Sequence, residues 1–73
     1  SVSIASNIAE GFGRQHPNEY KQFLFVALGS GAELTTQLVI SSNLGYLEPR
    51  KSQSLQDEIE QLSKMTMSLI KKL

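Results

Sequence analysis

The sequence predicts an all-α protein, an antiparallel up-and-down helical bundle to which residues 1–73 contribute three helices in a single domain. Two long segments repeat apolar residues at spacings of four, three, four, three, four, the signature of a helix with one buried stripe. The breaks between segments are short and marked by glycine and proline, so neighbouring helices should run antiparallel. No alternating apolar–polar stretch reads as a strand, and the β-branched pair Val39-Ile40 falls inside a helical period.

The first helix is expected from about Val2 to Glu10 or Phe12. Ile4, Ala5, Ile8, Ala9 and Phe12 recur on one helical face. Gly11 and Gly13 then act as stop signals, and Arg14 to His16 make the connection.

The second helix should begin near Pro17, whose fixed φ suits a first turn, and run to about Leu44 with Gly45 as its stop. His16 or Asn18 is the expected cap, and Glu19 suits the positive end of the helix dipole. Its seam reads Tyr20, Leu24, Ala27, Gly31, Leu34 and Leu38. Gly29 and Gly31 each cost about 1 kcal/mol against alanine in mid-helix, an expense that close helix packing would offset. The run Phe23 to Leu28 is apolar all round, Val26, Gly29 and Ile40 line one further side with Glu33, and Phe25, Leu28, Ala32 and Val39 line another. A helix apolar on several sides is expected to be covered on several sides, by more helices than this chain supplies.

The third helix follows Leu47, with Glu48-Pro49 as cap and first position, or Ser52 or Ser54 as a later cap. Its stripe is Leu55, Ile59, Leu62, Thr66, Leu69 and Leu73, widened by Met65 and Ile70. Lys71 and Lys72 suit its negative C-terminal end.

Composition excludes several functions. Seven basic and seven acidic residues cancel, so nothing global draws the chain to a polyanion or an anionic membrane. Without cysteine there is no disulfide frame, thiolate chemistry or zinc–thiolate site. The longest wholly apolar run, Phe23 to Leu28, falls far short of the roughly 20 residues of a membrane span. No basic-then-apolar leader opens the chain, and the expected location is the cytoplasm.

Candidate chemistry is sparse. Ser1, Ser3, Ser6 and Ser30 lack an accompanying base and orienting partner. His16, the one histidine, reads as a loop or capping residue. Gly11-Phe-Gly13 and Gly29-Ser-Gly31 follow no strand and lack the lysine of a phosphate loop. Glu10 and Glu33 would be the ligands of a metal-dependent bundle enzyme, but they read better as packing carboxylates. Asn7 stands one turn before Glu10, so the pair can tie a helix end to its neighbour. The expectation is thus no enzyme, no cofactor and no metal. For nucleic acid the tentative contacts are Arg14 and Lys21, close to the same loop, and Arg50 and Lys51, with Lys64, Lys71 and Lys72 beyond. Asn7, Glu10, Gly29, Ser30, Gly31 and Glu33 are the expected helix-packing or oligomer contacts.

Residues 3–14, Ser-Ile-Ala-Ser-Asn-Ile-Ala-Glu-Gly-Phe-Gly-Arg, then Glu19-Tyr-Lys-Gln-Phe-Leu24, Ala27-Leu-Gly-Ser-Gly-Ala-Glu-Leu34 and Leu44-Gly-Tyr-Leu47, resemble the four-helix bundle proteins encoded in intervening sequences of bacterial 23S rRNA genes. The resemblance spans essentially the whole chain. It implies an up-and-down bundle, homo-pentameric rings, no established enzymatic activity, and RNA as a suggested ligand. A related accessory pentamer of diversity-generating retroelements binds nucleic acid and partners a reverse transcriptase, so a nucleic-acid enzyme is a second implied partner. Basic positions of the family fall on Arg14 and Lys21, and packing positions on Asn7, Glu10, Gly29, Ser30 and Glu33. It also implies a further first helix, and the front of the second, ahead of Ser1. The alternative is a structural or protein-interaction bundle without nucleic-acid binding.

Overall fold

The computed structural model describes residues 2–73, with the side chains of residues 2–6 and 9 outside the description. The protein is all-α: α1 spans Val2–Gln15, α2 Pro17–Asn43 and α3 Pro49–Lys72. Ser1, Ser3 and Ser6, and the expected α1 face positions Ile4, Ala5 and Ala9, therefore lie outside the described side chains.

The first helix is longer than the sequence predicts. It continues through Gly11 and Gly13 to Gln15, and the His16 amide still donates to the Phe12 carbonyl at 2.8 Å. Glycine ends a helix only where the chain has reason to leave it, and here the backbone ladder runs on. The expected connection from Arg14 to His16 contracts to His16 alone (φ −135°, ψ 64°). Pro17 follows at the first position of α2. His16 occupies the capping position without a side-chain capping bond, its ring instead resting 4.8 Å from the Phe12 ring. The molecule measures 45 × 22 × 16 Å. At about 1.5 Å per residue α2 alone fills the long dimension, so α1 turns sharply aside at His16.

The second helix ends as the sequence predicts. Gly45 takes φ +83°, the Tyr46 amide donates to the Ser41 carbonyl at 2.9 Å, and the Gly45 amide to the Ser42 carbonyl at 3.1 Å. This is a Schellman closure, which a glycine at the left-handed position permits. Glu48 is extended, Pro49 opens α3, and the Ser52 amide donates to the Glu48 carbonyl.

The two long helices form an antiparallel hairpin. Leu38 meets Ser52 near the turn, Gly31 meets Ile59 and Ser63 midway, and Leu24 and Tyr20 meet Ile70 at the open end. Tyr20, Leu24 and Ile70 are the buried core, flanked by Leu28 and Leu69.

The seams differ from those predicted. On α2 the inward residues include Leu28 and Thr35, whereas Ala27 and Leu34 are exposed. On α3 they are Ser52, Gln56, Ile59, Ser63, Thr66 and Ile70, with Leu69 half-buried and Leu55, Leu62, Met65 and Leu73 exposed. On α2 the predicted stripe faces the partner at Tyr20, Leu24, Gly31 and Leu38 but not at Ala27 or Leu34, and on α3 Ile59, Thr66 and Leu69 face inward while Leu55, Leu62 and Leu73 do not. Because α2 carries apolar residues on every side, its periodicity does not select one face. Polar residues take the seam on α3 because their hydrogen bonds close within it. Ser52, 1% exposed, donates from Oγ to the Leu38 carbonyl at 3.0 Å and accepts from Gln56 Nε2 at 3.0 Å. Ser52 is thus an interhelical tie rather than a cap.

Candidate nucleic-acid interface

Arg14 lies in the last turn of α1 and Lys71 and Lys72 in the last turn of α3, each placed to offset the negative end of its helix. The sharp turn at His16 brings two of these ends together. Arg14 and Lys72 line one cleft of about 370 Å³ with Glu10, Gly13, Tyr20, Leu69 and Leu73. The cleft therefore joins two cations and one carboxylate over an apolar floor. Tyr20, 4% exposed, belongs to that floor and offers no free ring face on which a base would stack. What the cleft presents to a ligand is charge, suited to phosphate oxygens rather than to base edges.

The sequence pairs Arg14 with Lys21; the cleft pairs it with Lys72 instead. Lys21 is exposed on the first turns of α2 and does not line this cleft. Arg50 and Lys51 are exposed in the first turn of α3, at the turn end of the hairpin. The length of α3, about 1.5 Å for each of its residues, separates them from Lys72, so Arg50 and Lys51 stand at the far end of the hairpin from the cleft. A further group on α3, with Lys64 and Lys71 beside Glu60, Ser63, Met67 and Ser68, lines a separate shallow surface. There Lys64 pairs with Glu60 at 3.6 Å, an exposed contact of little energetic weight.

The packing candidates divide likewise. Gly31 is half-buried against α3: a methyl group at residue 31 would stand 3.4 Å from Ile59 Cγ2 and 3.5 Å from Ser63 Oγ. Gly29, Ser30 and Glu33 point away from α3 and are exposed, and nothing lies within 4 Å of a Cβ at Gly29. Asn7 and Glu10 are exposed on α1. Glu10 and Glu33 stand apart, one in the end cleft and one on the outer side of α2. Among the described residues no three of His, Asp and Glu gather as metal ligands would.

By length and composition α2 is apolar enough to cross a bilayer, its most apolar window averaging a hydropathy of 1.5. No wholly apolar run in α2 is as long as a span, because Gly, Ser, Thr and the charge of Glu33 interrupt it.

These features define a class: an all-α helical hairpin with a short crossing helix and a small cationic cleft at its open end. The chain belongs to the 23S rRNA-intervening sequence protein family, whose model matches residues 1–68. No curated protein and no solved structure matches the chain.

Proposed function

We propose that this chain is a non-enzymatic, cytoplasmic, self-associating helical module that holds RNA through its phosphates, with the α2–α3 hairpin serving as half of an up-and-down bundle. The observation that carries the RNA reading is the convergence of Arg14 and Lys72 from different helices on one cleft. Family membership supports it. Two cations are few for a polyanion, and assembly into a homo-oligomer such as a pentamer would repeat the cleft and multiply the contacts. Asn7, Gly29, Ser30 and Glu33, all turned away from the hairpin seam, are candidate contacts for such an assembly. A nucleic-acid enzyme is the second partner this chemistry suits. The reading places α2 in a bundle rather than a membrane, supported by Thr35 on its seam and by its tie to Ser52.

Fluorescence anisotropy with a short labelled RNA over rising salt tests the proposal. Arg14→Ala and Lys72→Ala should each weaken binding several-fold, and each should lower the slope of log affinity against log salt by about 1. Absence of binding at low salt, or unchanged affinity in both variants, would overturn it. The alternative, a protein-interaction bundle without nucleic acid, is favoured by the zero net charge and by the apolar side chains left exposed. Partners that survive nuclease treatment would support that alternative.

A further inference from the structure

We infer that the hairpin turn is a stacking platform for an unpaired RNA base, which lies on the ring of Tyr46 while Arg50 and Lys51 hold the flanking phosphates. This rests on the RNA part of the reading above and adds the base contact that the phosphate cleft lacks.

A base stacks only on a ring that nothing else covers. Of the two tyrosines, Tyr20 is 4% exposed and Tyr46 84%. Tyr46 is also the most exposed aromatic of the described residues, and among them no second ring packs on it. The phenylalanines lie within helices, whereas Tyr46 stands in the turn.

Local chemistry fixes this ring in place. Gly45, at φ +83°, carries the chain out of α2, and the Tyr46 amide closes back on the Ser41 carbonyl at 2.9 Å. The backbone beneath the ring is thus set before a ligand arrives, which leaves less ordering for binding to offset.

Charge and polarity select the ligand. Arg50 and Lys51 are exposed in the first turn of α3, a turn with no acidic residue. The free amides of that turn add the positive end of the helix dipole. Glu48 is the one carboxylate between residues 34 and 56, so this end of the hairpin is net positive although the whole chain is neutral. At the same end Ser42 and Asn43 of α2 and Gln53 of α3 line a shallow cleft of about 260 Å³. Its uncharged donors and acceptors suit sugar hydroxyls and base edges, and would go unmet against hydrocarbon. A duplex keeps its bases stacked within itself, so the ligand is a single strand. The turn stands about 30 Å from the phosphate cleft, far enough that substitutions at the two ends act separately.

Fluorescence anisotropy with a labelled unstructured RNA, and with a duplex of the same length, tests the platform. Tyr46→Ala should weaken single-strand binding by about fivefold or more and leave duplex binding unchanged. Tyr46→Phe keeps the ring and should stay within about twofold of the parent. Tyr46→Leu keeps bulk without the ring and should lose affinity as alanine does. Tyr46 carries no charge, so its loss should leave the salt dependence as it was, whereas Arg50→Ala should lower the slope by about 1. Tyrosine emission should fall as the single strand is added, and this quenching should vanish in Tyr46→Ala. The positions are exposed, so helix content by circular dichroism should not change.

Unchanged single-strand affinity in Tyr46→Ala, or a leucine variant that binds as well as the phenylalanine one, would overturn the platform. If Arg14→Ala and Lys72→Ala still weaken binding, the cleft stands without it. The reverse pattern would keep the platform and overturn the cleft. Absence of RNA binding at low salt would overturn both, and binding to anionic lipid vesicles through Tyr46 would then assign the turn to a membrane.

Discussion

The ring of Tyr20 occupies the space in which a side chain at Gly13 would stand. Gly13 is accordingly buried, and the ring packs on its bare backbone where α1 leaves α2. The glycine is needed for this approach rather than for an unusual dihedral.

Gly13→Ala should therefore destabilise the junction by about 1–3 kcal/mol, since overpacking outweighs the roughly 1 kcal/mol gained in helix propensity. Gly11→Ala should do the reverse, because nothing stands within 4 Å of its Cβ position. That change should stabilise α1 by up to about 1 kcal/mol. Urea titrations of the two variants, followed by circular dichroism, should give midpoints on opposite sides of the parent.

Ser52→Ala removes the hydroxyl that joins Gln56 to the Leu38 carbonyl. The expected loss is about 1 kcal/mol, the net value of a typical protein hydrogen bond. Hydrogen exchange should show the loss concentrated around residues 38–52. A uniform change along α2 and α3 would contradict a local tie.

Gly31 and Gly45 should respond oppositely to alanine. At residue 31 the new methyl meets Ile59 and Ser63 at ordinary contact distance, so the variant should match or exceed the parent by up to about 1 kcal/mol. At residue 45 the positive φ makes any side chain strained, at a cost of about 1–2 kcal/mol. Thermal melts resolve both.

Truncating Leu24 to alanine should be the most damaging of these changes, at about 2–5 kcal/mol. Among the described residues the buried apolar core holds Tyr20, Leu24 and Ile70, and a core this small leaves little to offset the lost contact. A melt that remains cooperative near the parental midpoint would show that the hairpin draws its stability from elsewhere.

Much of the fold was legible in the sequence, because punctuation is local chemistry. Pro17, Pro49 and Gly45 announce their boundaries through fixed or permitted φ values. Gly11 and Gly13 misled because the same residue type serves close approach as well as termination. The seam was harder to read: choosing Ala27 and Leu34 over Leu28 and Thr35 assumes that the longest heptad faces the partner. In α3 half of the best apolar stripe, Leu55, Leu62 and Leu73, is exposed, and Ser52, Gln56 and Ser63 share the seam with Ile59 and Ile70. The cleft depended on distance in space. Lys21 is near Arg14 along the chain, yet Lys72 joins it because the hairpin returns its far end to the start of α2.

The polar seam also has a consequence for alignment of the helices. Apolar side chains are nearly interchangeable, and two greasy rods slid by one turn would bury similar area. A buried hydroxyl is not interchangeable. Slide α3 by one turn and Ser52 leaves the Leu38 oxygen, taking Gln56 with it and breaking the interhelical bond. The pair thus works as a detent, making one longitudinal setting of the hairpin distinct among settings that its grease alone would leave nearly equal.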